Sequence, residues 1–232
     1  MAAGHQETAQ AASTILQAGG NAFDAALAAM LTACVAEPVL ASLGGGGFLT
    51  ARPRDAEPLV YDFFAQTPAC KQPLDAIDFY PIVADFGTAR QTFHIGLGSI
   101  ATPGLIRGRF SIHRELCRMP LRAIMEPAIQ LARNGVQINS FQHLIARIVS
   151  PILLANDAVL ALHASPTEPH RLIQEGEIHR QSEQADFLDT LWREGEGLFY
   201  AGEAGQSLVA ACRKHGGHLR QPDLQNYTCL LY

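Results

Sequence analysis

The sequence predicts an α/β protein, and three observations carry that prediction. A stretch of nearly all small or apolar residues, "AFDAALAAMLTACVAE", has no polar face. Two short apolar runs, "FLTARP" and "LVYDFF", follow it and are joined by the polar turn "PRDAEP". Most of the remaining chain shows helical periodicity punctuated by glycine stops. A helix apolar on all sides must be buried, and a hairpin beside it supplies strands for it to pack on.

The elements are justified in chain order. A first helix is expected over residues 6–18, stopped by Gly19 and Gly20. Asn21 is an N-cap candidate, and Asp24 sits three positions later in the electropositive first turn of the apolar helix. Pro38 ends that helix, because proline disfavours helical geometry in the residue before it. The hairpin is expected over residues 48–64. Residues 67–87 read as loop, and "SIATP" reads as a third strand ending at Pro103. Helices are then expected over residues 104–116, 121–134 (with Pro127 near the start of its main part), 140–157, 184–194 and 202–215. Residues 163–179 form a loop rich in Pro, His and Glu. A single domain over residues 1–232 is the expectation.

Composition narrows the function. Of 232 residues, 48% are hydrophobic and 17% charged, which suits a chain with a substantial core. The net charge is −5 and no Lys/Arg block occurs, so no nucleic-acid partner is expected. The apolar helix is shorter than the roughly 20 residues of a membrane span, so no membrane partner is expected. "MAAGHQETAQ" has no basic segment followed by an apolar one, which predicts a cytoplasmic location. The 5 cysteines are widely spaced without CxxC and read as free thiols.

The motifs yield no self-contained active site. Gly44 to Gly47 open a strand, not a helix, and lack the Lys and Ser/Thr of a phosphate cradle. The 9 histidines miss HExxH and other metal spacings, so no metal site is expected. GxSxG is absent, and Asp186 and Asp189 read as one solvated helix face.

The order of several blocks is specific, however. "GGNAFDAALAA", "EPVLASLGGGGFL", "DFFAQTPA", "ATPGLIRGRFSIH", "MEPAIQLARNGV" and "LFYAGEAGQSLVAACRKHGGHLRQPDLQNY" follow one another along residues 3–227. In this order they resemble the large-subunit region of the γ-glutamyltranspeptidase family. The resemblance implies an N-terminal-nucleophile hydrolase fold, a four-layer αββα sandwich that is incomplete in this chain. It implies a self-cleaving precursor and an N-terminal threonine on a small subunit, which forms a heterodimer with the large one. That threonine takes the acyl group of a γ-glutamyl amide such as glutathione, or of a related small-molecule amide, and passes it to water or an amine. No cofactor is implied.

Two departures shape the expectation. No threonine here stands in the family's nucleophile motif; Thr228 follows "NY" without that context, so no catalytic residue is assigned and this chain alone is expected to be inactive. The family's "DFRE-x-A-P" reads "DFFAQTP" over residues 62–68. Phe64 replaces the arginine that holds the substrate carboxylate in the family, and Ala65 replaces the glutamate. Phe64, Gln66 and Thr67 are the substrate-binding candidates, with Arg90 as a possible substitute cation. A phenyl ring cannot form a bidentate clamp, so a different acyl donor is expected. The glycines are expected to let the first strand pass beneath the apolar helix without a clash. The alternative function is a non-catalytic remnant or binding protein that keeps part of the fold.

Overall fold

The structure is a computed structural model and describes residues 2–232. Its core is helical. Helix α1 (Gln6–Gln17) and helix α2 (Ala22–Ala36) form an antiparallel-connected pair through the Gly19–Gly20 turn. Helix α2 is buried as its composition requires, with Ala25, Leu27, Ala28, Leu31 and Val35 wholly inaccessible. Small side chains let α1 and α4 (Leu121–Asn134) approach it closely. Helix α8 (Ser182–Glu194) then packs on α4 through Ala185, Leu188 and Leu191.

The cap expected at Asn21 is present. Its side chain accepts from Phe23 N at 2.8 Å and Asp24 N at 2.9 Å, while Asp24 Oδ2 accepts from Asn21 N at 2.7 Å. The other Asp24 oxygen accepts from Arg118 N at 3.0 Å and Met119 N at 3.1 Å. One buried carboxylate thus ties the start of α2 to the segment between α3 (Leu105–Leu116) and α4. Burial raises the Asp24 pKa, but the hydrogen bonds from Asn21, Met119 and Arg118 outweigh it and hold the group below the usual value.

The hairpin also forms. Strands β1 (Phe48–Ala51) and β2 (Leu59–Asp62) pair antiparallel, with Phe48 opposite Asp62 and Ala51 opposite Leu59. The last strand of the chain, Leu230–Leu231, joins the other edge of β2. Alternation along β2 sends Tyr61 and, just beyond it, Phe63 into the core. Tyr61 donates its hydroxyl to Glu115 Oε2 on α3 at 2.7 Å.

Several expectations are corrected. "SIATP" is not a strand: only Thr102 pairs, in a single bridge to Gln66. Pro103 has no N–H to extend a ladder, and α3 begins two residues later. Residues 67–87 are not all loop. Strands β3 (Tyr80–Asp85) and β4 (Arg90–Ile95) form a second hairpin, whose alternation was masked by Pro81 and by the surrounding turn residues. Pro127 lies in the middle of α4. The helix tolerates it although the Ala123 carbonyl loses its regular donor, because α4 is anchored by buried Ile124, Met125, Ala128 and Ile129 on either side. Residues 140–157 break at Ser150–Pro151 into α5 (Ser140–Ile148) and α6 (Ser150–Leu153), and α7 (Asp157–His163) follows. Asp186 and Asp189 do lie at the surface of α8, and there both are partnered, Asp186 with Arg133 at 3.5 Å and Asp189 with Trp192 Nε1 at 3.0 Å and with Arg193.

The glycines serve close packing, but the neighbour is not α2. A Cβ on Gly46 would stand 2.5 Å from Ala65 N and 2.6 Å from Phe63 O. The glycine run therefore passes against the backbone of Phe63–Ala65. A Cβ on Gly47 would meet the Phe63 ring at 3.1 Å, whereas Gly44 has open space.

Candidate functional site

Segment 62–68 leaves β2 and is held by hydrogen bonds at Phe63, Phe64 and Gln66. Phe63 exchanges two hydrogen bonds with Gly47, 3.0 and 3.3 Å long. Phe64 N donates to Asp62 Oδ1 at 3.0 Å. Gln66 and Thr102 exchange backbone bonds of 3.1 and 2.7 Å. Tyr227 donates its hydroxyl to the Phe64 carbonyl at 2.8 Å. Tyr227 stacks on Tyr200, with ring centroids 5.9 Å apart, and Tyr200 in turn donates to the Pro103 carbonyl at 2.8 Å.

Close approach at this junction requires glycine at Gly104. A Cβ there would stand 2.1 Å from both Phe63 O and Tyr227 Oη. Gly104 N and Leu105 N both donate to Gly45 O at 3.0 Å, which joins the glycine run to the start of α3. The "GGGG" run thus joins the start of α3, the Phe63–Ala65 backbone and Tyr227 in one close-packed junction.

The three substrate-binding candidates lie together on this segment. Phe64 is 57% exposed and stacks on Phe48, itself 61% exposed, with centroids 5.5 Å apart and planes 15° apart. Gln66 is held by its ladder and by a 3.2 Å bond from its side chain to the Thr228 carbonyl. Thr67 is exposed. Arg90 does not stand ready as a substitute clamp: it bonds Asp85 across the β3–β4 hairpin at 3.1 Å. The exposed surface at position 64 is therefore aromatic, built from Phe48 and Phe64.

Sequence reasoning missed Phe48, Tyr227 and Tyr200. Phe48 was readable only as the first residue of a strand. The tyrosines lie far along the chain from the segment they hold, and no local spacing connects them.

Two other features concern buried groups. Arg109 on α3 is fully inaccessible, and its three guanidinium nitrogens have no hydrogen-bond partner among the described residues. Its guanidinium lies over the Phe110 ring, 4.9 Å from the centroid. Burial pulls its pKa down to about 10. His163 and His179 lie 5.9 Å apart, and His179 Nε2 is 2.8 Å from the Leu162 carbonyl. Burial, with the neighbouring His179, pulls the His163 pKa down to about 4. No group of three or more His, Cys, Asp or Glu among the described residues comes together as a metal site, and no described helix is long and apolar enough to cross a membrane.

Comparison with known proteins gives these features their context. A family model described as gamma-glutamyltranspeptidase matches residues 8–231. The Acylase ACY 1 proenzyme of Pseudomonas sp. (strain V22) is 29% identical over 228 residues, covering 96% of this chain and 40% of the relative. Glutathione hydrolase 2 of Arabidopsis thaliana is 29% identical over 214 residues, covering 92% of this chain and 35% of the relative. The chain thus spans about two-fifths or less of these relatives' length. Among solved structures, the gamma-glutamyltranspeptidase from Pseudomonas nitroreducens matches with a TM-score of 0.82 at 25% identity, over 100% of this chain and 65% of that one. The Helicobacter pylori gamma-glutamyltranspeptidase matches in fold with a TM-score of 0.85, over 99% of this chain and 64% of that one. The architecture is therefore an incomplete α/β fold of the N-terminal-nucleophile hydrolase type, and the chain, matched along nearly its whole length, belongs to the γ-glutamyltranspeptidase family.

Proposed function

We propose that this chain is the large-subunit portion of an amide-cleaving acyltransferase whose preferred acyl donor is neutral and apolar rather than a free γ-glutamyl group. A small subunit carrying the nucleophilic threonine completes the site. The threonine hydroxyl attacks the amide carbonyl carbon, the C–N bond breaks, and the leaving amine takes up a proton. Water or a second amine then takes the acyl group from the resulting ester. Relatives named as an acylase and as a glutathione hydrolase support the amide-cleaving class.

The observation that carries the donor preference is the Phe48–Phe64 stack at the position where the family motif has arginine. A carboxylate moved from water onto this aromatic surface would lose hydration without gaining a cation, an unfavourable change of several kcal/mol. An aryl or alkyl acyl group would instead bury apolar area against it, at roughly 25 cal/mol per Å². Tyr227 and the Gln66–Thr102 bridge hold the stack's backbone, so the platform is formed before any donor arrives.

The test uses the complete gene product after mass spectrometry has established its cleavage into two subunits. Phenylacetyl-p-nitroanilide should exceed γ-glutamyl-p-nitroanilide in kcat/KM by at least about tenfold, the ratio for roughly 1.4 kcal/mol. Phe64→Arg should narrow or invert that preference. Efficient γ-glutamyl turnover by the parent would overturn the donor assignment. Phe64 and Ala65, in place of the motif's arginine and glutamate, also favour a second reading, a binding protein without turnover; donor binding by a form that never cleaves itself would support it.

A further inference from the structure

A cleft of about 580 Å³ opens between α1 and α4, which both pack on α2. Ala11 and Ile15 of α1 and Leu131 of α4 make its walls largely apolar, and Thr32 of α2 lies between them. None of its lining residues belongs to segment 62–68 or to the groups that hold that segment.

Two hydrogen-bonding groups at this cleft lack their usual partners. Thr32 is 1% exposed, and its hydroxyl has no hydrogen-bond partner among the described residues. An unpaired buried hydroxyl is costly, and folded proteins keep few of them. Ala123 and Pro127 both line the cleft, and Pro127 has no N–H to give the Ala123 carbonyl. The charge at the cleft is of one sign. Glu7 and Glu126 line it, and no Lys, Arg or His does. Neither carboxylate has an ion-pair partner among the described residues. Glu7 is the only charged side chain of α1. The two arginines of α4 are engaged elsewhere: Arg133 bonds Asp186 at 3.5 Å, and Arg122 lies over the Trp192 ring, 5.3 Å from its centroid. Glu126 accepts from Gln130 Nε2 at 2.6 Å, a neutral amide that orients the carboxylate and leaves its charge in place.

We propose that this cleft binds an organic ammonium ion, a protonated amine carrying a short hydrocarbon chain. An ammonium group only donates hydrogen bonds, and the two groups without partners, a hydroxyl oxygen and a carbonyl oxygen, both accept. Its charge is balanced by Glu126 on one wall and Glu7 on the other. A helical threonine has two accessible χ1 rotamers, so Thr32 turns its hydroxyl to the ligand without movement of the backbone. The apolar walls take the hydrocarbon chain, which selects an alkylammonium over ammonium itself. The site stands apart from the amide-cleaving reading, and its test reads binding alone.

The experiment is calorimetric titration of the complete gene product at low ionic strength with n-hexylammonium, n-hexanol and ammonium chloride. Hexylammonium should bind at least about tenfold more tightly than either of the others. Thr32→Val, which keeps the shape of the side chain, should weaken that binding at least about fivefold without lowering Tm, and Thr32→Ser should retain it. Glu126→Gln, which removes only the charge, should also weaken it at least about fivefold. Glu194→Gln, exposed at the end of α8, should leave it unchanged. Equal binding of hexanol would reduce the cleft to an apolar groove and overturn the proposal. So would absence of hexylammonium binding, unchanged affinity in Thr32→Val or in Glu126→Gln, or equal weakening in Glu194→Gln.

Discussion

Replacing Gly46 with alanine adds one methyl group at the junction of the glycine run and segment 62–68. The new Cβ would stand 2.5 Å from Ala65 N, 2.6 Å from Phe63 O and 2.8 Å from Phe64 C. All three are backbone atoms, so no side chain can swing aside. The two segments must separate by about an ångström, which strains the neighbouring pair of hydrogen bonds between Gly47 and Phe63. Overpacking costs roughly 1–3 kcal/mol, and each weakened hydrogen bond up to about 1 kcal/mol more. The expected loss is roughly 3 kcal/mol, or about 6–12 °C in Tm for a chain of this size. Gly44→Ala is the internal control: its nearest neighbour would be Ser42 Oγ at 4.0 Å, and its φ is not positive. That change should be neutral or stabilise by about 0.5 kcal/mol through the unfolded chain. Urea titration of both variants reads the difference. A Gly46→Ala protein as stable as its parent, or equal losses at the two positions, would refute the packing account.

Arg109→Met should raise stability by roughly 1–3 kcal/mol, because a similar-sized apolar side chain replaces a buried cation without hydrogen-bond partners; a loss in chemical denaturation would show that an unseen partner compensates the charge. The His163 pKa is depressed in the fold from 6.5 to about 4, so the unfolded chain binds the extra proton first as pH falls. Stability should therefore decline from pH 6.5 toward about 4, by roughly 2 kcal/mol after allowance for partial exposure. His163→Gln should flatten that limb of the pH profile, and an unchanged slope between those pH values would refute it.

What the sequence made legible was what short-range chemistry controls. Asn21 and Asp24 announced the start of α2 because a cap is a contact over three residues. The absence of any polar face on α2 announced its burial, and the short apolar run "LVYDFF" after a polar turn announced β2. The β3–β4 hairpin escaped because Pro81 and dense turn residues imitate a loop, and because an exposed hairpin lacks the one-sided apolar pattern that marks a strand. The candidate site was half legible. The motif around Phe64 could be found in a run of seven residues, but what its change means depends on neighbours contributed by distant parts of the chain. Phe48 completes the aromatic surface from the opposite strand, and Tyr227 fixes the Phe64 carbonyl from 163 positions away. Arg90, the substitute cation that the sequence suggested, is bonded to Asp85 at the tip of its own hairpin. A clamp residue lost from a motif can be replaced from anywhere in a fold, so a sequence can report the loss but only spatial neighbours can report the replacement. Here those neighbours are a second phenyl ring and a tyrosine hydroxyl directed at backbone, neither of which can hold a carboxylate in place of arginine.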